Sequence, residues 1–520
     1  MSGSVREAVF GLLRELGLTT IFGNPGSTEL PMYRDFPRDF RYVLALQESV
    51  AVAMADGFAQ ARRGAALVNL HSAIGVGHAM GSLFTAWRNQ APLVVTAGQQ
   101  ARSLLPLEPF LYSERAAELP RPYVKWSCEP ARAQDVPAAL ARACHVALQS
   151  PCGPTFVSIP VDDWGRPAGP PPAQHEASRR VGGDPQLLER AAARLAAARQ
   201  PVLVVGPGVA RASAWSEVIA LAERHKAPAW VSPMSSRNSF PETHALFAGF
   251  LPAERKQLLA RLAGCDLVLV LGAPVFTYHV EGEGPLIPEG ATLVQLTDDP
   301  AEAARAPLGL CIVTDLKLGI GALLDAAAPA RAAPVLPPRA APVDATRLTD
   351  RYLMQQLAAL RPAGSIIVEE APSSRGPMHD HLPILEPDTF YTCASGGLGY
   401  SLPAAVGVAL AHPERRVIAL IGDGSAMYSI QGLWSAAELN VNVTFVIVNN
   451  GSYKALEQFA PHFGLTDPPG TRLAHLDFCA LAHAQGIPAV RIVNPSDLDG
   501  ALTAAFGTQG ASLLEVCIAT

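Results

Sequence analysis

Short, nearly unbroken apolar runs set the tightest limit on what this chain can fold into. They fall at 19–22, 42–46, 66–70 and 93–97, at 201–205, 267–271 and 292–296, and at 365–368, 416–421, 444–448 and 513–518. A strand with one wet face alternates apolar and polar residues, whereas a continuous run needs cover on both faces. The intervening segments have helical spacing. Val5, Val9, Leu12, Leu13 and Leu16 form one face of a helix that Gly17 ends. Buried strands alternating with helices predict an α/β protein with doubly wound parallel sheets.

Two Pro/Ala-rich stretches, GRPAGPPPA at 165–173 and AAAPARAAPVLPPRAAPV at 326–343, lack hydrophobic periodicity and read as linkers. They cut the 520 residues into three domains, expected at 1–165, 180–326 and 344–520. The composition is that of a soluble globular protein, 49% hydrophobic and 17% charged. A net charge of −6 argues against a nucleic-acid or anionic-membrane partner. No apolar run reaches membrane-spanning length, and the first residues lack a signal-peptide core. Eight scattered cysteines without a C-x-x-C pair are expected to be reduced thiols of a cytoplasmic protein.

Ligands of such sheets bind beyond the carboxyl ends of the strands. That rule selects 23–29, Glu48, 71–77, 206–208, 273–279 and 370–374. Gly75-x-Gly77 and Gly206-x-Gly208 lack the third glycine and downstream acid of a dinucleotide site, so both are expected to be tight turns. The run at 416–421 ends in Gly422-Asp423-Gly424-Ser425, and that at 444–448 ends in Asn449-Asn450-Gly451-Ser452. Brought together, these ends offer hard oxygen ligands for Mg²⁺ or Ca²⁺, with a phosphate completing the shell. The glycines let the backbone approach a pyrophosphate. A helix cap followed by a turn would use the same residues. The spacing resembles the diphosphate-binding motif of thiamine diphosphate enzymes.

Further stretches carry that resemblance along essentially the whole chain. They are Phe22-Gly-Asn-Pro-Gly-Ser27, Leu44-Ala-Leu-Gln-Glu48, Asn69-Leu-His71-Ser72, Thr96-Ala-Gly-Gln-Gln100, Gly272-Ala-Pro-Val-Phe-x-Tyr-His279 and Gly396-Gly-Leu-Gly399. On these residues the chain resembles the thiamine diphosphate-dependent 2-oxoacid decarboxylases, most of all those that cleave benzoylformate.

The resemblance implies roles. Glu48 would face N1′ of the cofactor's aminopyrimidine, Ser27 would hold the substrate carboxylate, and His71 and His279 would transfer protons. Leu398 would wedge the cofactor into its bent shape, and the Gly396 carbonyl would accept from its amino group. Asp423, Asn450 and the Ser452 carbonyl would bind Mg²⁺ (or Ca²⁺), with Gly424 and Ser425 at the diphosphate. Phe110, Leu111, Ala455, Leu456 and Phe459 match an aryl pocket, although the last three would also suit a core-facing helix. Pro372 and Lys454 depart from the family pattern, which has a hydroxyl residue and a small residue there. His78, seven residues after His71, can lie near the site but has no role in that pattern; His145, His175, His225 and His412 read as structural or surface residues.

The implied activity is decarboxylation of benzoylformate to benzaldehyde and CO₂, with carboligation as a side reaction. An aldehyde lyase, a carboligase, a flavin-using oxidase or a non-catalytic cofactor-binding paralogue would share the architecture. The family also implies a homo-oligomer, a dimer of dimers, whose sites are shared between subunits.

Overall fold

The computed structural model describes residues 3–173, 176–338 and 340–519; His175 and Arg339 of the second linker lie outside the described residues. It contains three six-stranded parallel sheets with flanking helices. The first is built from β1 (Thr20–Gly23), β2 (Arg41–Leu44), β3 (Ala66–Leu70), β4 (Leu93–Gln99), β5 (Trp126–Cys128) and β6 (Thr155–Pro160). Its order is β2-β1-β3-β4-β6-β5. The second comprises β7 (Pro201–Val205), β8 (Ala229–Val231), β9 (Phe247–Phe250), β10 (Leu267–Leu271), β11 (Thr292–Thr297) and β12 (Leu310–Val313), in the order β12-β11-β10-β7-β8-β9. The third has β13 (Ile366–Glu370), β14 (Phe390–Thr392), β15 (Val417–Gly422), β16 (Val443–Asn449), β17 (Ala489–Ile492) and β18 (Ser512–Cys517), in the order β14-β13-β15-β16-β18-β17.

The apolar runs do become strands covered on both faces. In β7, Leu203 and Val205 enter one core while Val202 and Val204 enter another. β10 divides likewise, Leu267, Leu269 and Leu271 against Val268 and Val270. The 42–46 run ends earlier than its apolarity indicates, at Leu44, because the chain turns into the next helix. Strands with no apolar run to mark them include β5, β9, β12, β14 and β17, all at sheet edges, where one neighbour is missing and side chains meet solvent. The described part of 326–343 holds no helix or strand.

Both glycine pairs expected to be tight turns belong instead to helices. Gly75 and Gly77 lie within Ser72–Asn89, and Gly206 caps Pro207–Arg211. The reason at Gly208 is close approach: an added Cβ would stand 2.7 Å from the Gly272 Cα.

The chain forms two compact units, one with residues up to 177, 367–373 and from 395, the other with 178–366 and 374–394. Within the first unit, helix Glu48–Arg62 packs on helix Ser401–Ala411. A Cβ on Gly57 would overlap the Ala404 carbonyl, and one on Gly407 would overlap that of Met54. Gln60 Nε2 donates to the Tyr400 hydroxyl at 2.9 Å. Moving from Gln60 to Met54 on one helix thus means moving from Tyr400 to Gly407 on the other, so the pair is antiparallel. A buried carboxylate closes the crossing: Asp56 accepts from Gln60 (2.6 Å), Asn89 (3.0 Å) and the Tyr400 hydroxyl (3.1 Å).

Candidate active site

The first sheet delivers three candidate site side chains to its carboxyl edge. β1 runs out at Gly23, next to the ends of β2 and β3, so Asn24, Glu48 and His71 all follow strands that stop together. Gln47 caps the next helix, its side-chain oxygen accepting from Ser49 N at 2.7 Å and Val50 N at 3.3 Å. Glu48 is therefore the first helical residue as well as the acid after β2. It is 6% exposed. Asn24 Nδ2 is 3.4 Å from one of its carboxyl oxygens and His78 Nδ1 is 3.1 Å from the other.

His71 caps helix Ser72–Asn89. Its Nδ1 lies 2.8 Å from Oε2 of Glu29, a buried acid that also accepts from the Gly26 and Gly98 amides at 3.0 and 2.9 Å. Neither glycine could carry a side chain, since a Cβ on Gly26 would overlap the His71 ring and one on Gly98 would overlap Glu29. Ser72 follows at φ +47, a strained value for a non-glycine residue, and its hydroxyl donates to the Leu111 carbonyl at 2.7 Å. Ser27 is exposed on the turn before Glu29. Asn24 and Glu29 lie in the 23–29 segment that the sequence selects and His78 lies close to His71, but none of the three was given a role from the sequence. The glycines opposite Glu29 were the one local signal, and their partners lie far along the chain.

The third sheet offers the oxygen ligands. β15 and β16 pair in parallel with Gly422 beside Val448, which places Asp423 next to the 449–452 turn. Asp423 is 3% exposed and accepts from Gly424 N (2.8 Å), Asn450 N (3.2 Å) and Gly451 N (2.7 Å). Burial pushes its carboxyl up, against these amides. Asn450 Oδ1 accepts from Ser452 N at 3.0 Å, and Ser425 is buried beside Asp423. A carboxylate, a carboxamide and backbone carbonyls at one strand edge fit a hard divalent cation with a diphosphate.

The Gly396–Gly399 loop is set by another acid, in the selected 370–374 segment but given no role from the sequence. Glu370, at the end of β13, accepts from the amides of Gly399 (2.5 Å), Tyr400 (2.9 Å) and Ser401 (2.7 Å). Burial pushes its carboxyl up to about 7 although all three amides favour the ionised form. Gly396 has φ +74 and an open Cβ position, so its carbonyl is turned by a conformation that side chains rarely allow. Leu398 is half-buried in the same loop.

Helix Lys454–Phe459 has no buried residue. Ala455, Leu456 and Phe459 therefore do not form a core face of this chain; Leu456 is 55% exposed. Phe110 stands out at 86% exposure, while its carbonyl accepts from Gln100 at 2.6 Å. Lys454 pairs with Glu457 at 3.1 Å, and Pro372 starts the 3₁₀ turn Pro372–Ser374. In the second unit, His279 is exposed and its amide donates to the Ala253 carbonyl at 2.9 Å. His225 is buried there against Arg331 at 2.9 Å.

One chain does not bring Glu48 and Gly396 together. Glu48 opens its helix and the Gly396 loop precedes the partner helix, which runs the other way. Tyr400 meets Gln60, twelve residues along from Glu48, about 18 Å at 1.5 Å per residue. A second ruler agrees: Thr85 Oγ1 is 2.8 Å from Ser395 Oγ, while Glu48 meets helix Ser72–Asn89 near Gly75, about 15 Å away.

Three domain families match the chain. Residues 3–115 match the N-terminal TPP binding domain of thiamine pyrophosphate enzymes, 188–323 their central domain, and 373–516 their C-terminal TPP binding domain. Benzoylformate decarboxylase of Pseudomonas aeruginosa is 46% identical, covering 99% of this chain and 98% of that protein. The crystal structure of benzoylformate decarboxylase from Polynucleobacter necessarius is 42% identical with a TM-score of 0.97, covering 99% and 98% of the two chains. A thiamine diphosphate-dependent 4-hydroxybenzoylformate decarboxylase of Rhodococcus jostii is 40% identical with a TM-score of 0.96, covering 99% of each. The chain therefore belongs to the thiamine pyrophosphate enzymes, as a carboxy-lyase of the benzoylformate decarboxylase-like kind.

Proposed function

We propose that this enzyme decarboxylates an aromatic 2-oxoacid, benzoylformate, to benzaldehyde and CO₂, using thiamine diphosphate and a divalent metal ion, Mg²⁺ or Ca²⁺. The observation that carries the reading is a buried acid, Glu48, at one sheet edge and a hard-oxygen set around Asp423 at another of the same topology. Bound thiamine diphosphate supplies the electron sink for the departing carboxyl group. The chain's residues do the rest. Glu48 holds and shares the proton at the pyrimidine N1′, and the Gly396 carbonyl accepts from the amino group of that ring. Leu398 would pack against the cofactor. Asp423, Asn450 and the Ser452 carbonyl bind the metal, with Gly424 and Ser425 toward the diphosphate.

Ser27 donates to the substrate carboxylate. His71, oriented by Glu29, and His279 move protons at the former oxo group. Phe110, Leu111, Ala455, Leu456 and Phe459 receive the aryl ring, consistent with their lying outside the chain's own core. Carboligation with a second aldehyde is the expected side activity. The domains that carry these parts are 1–165, 180–326 and 344–520.

A pyrimidine ring that must meet both Glu48 and Gly396 cannot span about 15–18 Å. The missing half comes from a second copy, giving a dimer and, by closed symmetry, a dimer of dimers. Among the described residues no helix is long and apolar enough to cross a membrane, and the eight cysteines are thiols, which fits a reducing cytoplasm.

A panel of benzoylformate, 4-hydroxybenzoylformate, pyruvate and longer aliphatic oxoacids, assayed with added thiamine diphosphate and Mg²⁺, tests the reading. Turnover should be fastest with an aryl substrate. No turnover of any oxoacid by cofactor-loaded protein would overturn it.

A further inference from the structure

His71, Gly75 and His78 lie along one face of helix Ser72–Asn89, because residues four and seven apart return to the same side. Glu48 is bedded on that face. A Cβ on Gly75 would stand 3.3 Å from both Cγ and Oε1 of Glu48, so glycine leaves the space the carboxyl occupies. The carboxyl has two polar contacts of unequal quality: Oε2 is 3.1 Å from His78 Nδ1, whereas Oε1 is 3.4 Å from Asn24 Nδ2. His71 does not supply such a contact, since its Nδ1 is 2.8 Å from Glu29.

We propose that His78 is a positioning residue for Glu48, its Nδ1 holding Oε2 so that Oε1 stays turned toward the pyrimidine. Beside a glycine, a carboxyl with only the long Asn24 contact is free to rotate about its last bond. A small misplacement of a reacting group is costly, since reaction needs near-contact geometry. The ring also lies where it bridges outward: the His78 side chain is 57% exposed in the single chain, while that of Glu48 is 9% exposed. This inference rests on the reading of Glu48 as the acid that faces the cofactor.

The test compares His78→Phe, His78→Asn and Glu48→Gln with the parent, each loaded with thiamine diphosphate and Mg²⁺. Phe keeps the ring without a nitrogen, whereas the Asn amide stands as many bonds from Cα as Nδ1 does. Two quantities are read besides turnover: cofactor affinity by titration, and hydrogen–deuterium exchange at the thiazolium C2 by acid quench and NMR. His78→Phe should slow exchange and kcat by about ten-fold, as for one lost bond to a charged group, with KM for benzoylformate nearly unchanged. His78→Asn should recover most of both. Should His78→Phe fail to fold, His78→Leu takes its place. Parent-like exchange in the nitrogen-free variant, or an Asn variant as slow as it, overturns the role of His78. Slow exchange in Glu48→Gln beside parent-like His78→Phe sinks only this inference; parent-like exchange in Glu48→Gln sinks the assignment of Glu48 and this inference with it.

Discussion

The first and third sheets have one topology and opposite chemistry. Numbered from their own first strands, both run 2-1-3-4-6-5, while the second sheet runs 6-5-4-1-2-3. Matching positions can therefore be compared. After the second strand, the first sheet opens a helix with Glu48 and the third opens one after the Gly396–Gly399 loop. After the third strand, one gives His71 and the other Asp423. One edge presents Glu48 and His71 and the other Asp423 and the 449–452 turn, on the same scaffold. The difference teaches that the fold fixes where a site stands and the residues just past each strand fix what it does. The two matching helices pack antiparallel, as a two-fold relation between like units would place them; under the proposed function each chain would hold the halves of two different sites.

The strongest way to break this comparison is complementation. Glu48→Gln should lose on the order of a thousand-fold in kcat/KM, within the range for removing an acid–base group, and Asp423→Asn should lose a comparable factor by weakening the metal site. If sites are shared between copies, co-expressing the two variants should restore about a quarter of parent activity, since half of random dimers carry one intact site. Sites confined to single chains would restore none.

The helix crossing is next in size. Gly407→Ala forces a methyl onto the Met54 carbonyl and should cost about 3 kcal/mol or more, since backbone cannot yield as a side chain does. A chemical-denaturation midpoint equal to the parent's would show that the two helices part easily.

A pH series probes the buried acid that sets the Gly396–Gly399 loop. Glu370 has its carboxyl raised to about 7 from 4.5, so between those values the native state binds more protons than the unfolded chain. Stability from this group is thus greatest below about 4.5 and falls as pH rises through about 7, by about 3 kcal/mol at most. Glu370→Gln should flatten that part of the stability–pH curve. An unchanged slope would assign it to other groups.

Pocket variants should act on selectivity. Leu456→Ala or Phe459→Ala should shift relative kcat/KM toward longer aliphatic oxoacids by ~1–3 kcal/mol, with little change in Tm because neither residue is buried. A lowered Tm with unchanged selectivity would make them packing residues of the assembly. The smallest effect should come from Tyr400→Phe, which removes one donor from Asp56 and should cost about 1 kcal/mol.

Much of the fold was legible because apolar continuity reports local burial. Runs such as 66–70, 201–205 and 267–271 are strands with those very ends. Edge strands other than β2 were not legible, since strands such as β9 and β14 gain their place from a neighbour rather than from their own pattern. Gly75 was misread for a related cause: its glycine serves a carboxyl twenty-seven residues earlier in the chain, not the local backbone. Glu29 and Glu370 fell in selected segments but received no role, because an acid past or at a strand end looks the same in sequence whether it meets water or a distant amide.

By itself the sequence determined the parallel α/β class, the oxygen-rich turn at Asp423 and the acid after the second strand, each written in contiguous residues. Only the tertiary structure decided which groups hold which: His71 on Glu29, His78 on Glu48, the Gly396 loop on Glu370. It also decided that Glu48 and Gly396 stand at opposite ends of one helix pair. Those pairings depend on how helices dock, and docking is set by contacts, such as Gly57 on Ala404, between residues hundreds of positions apart.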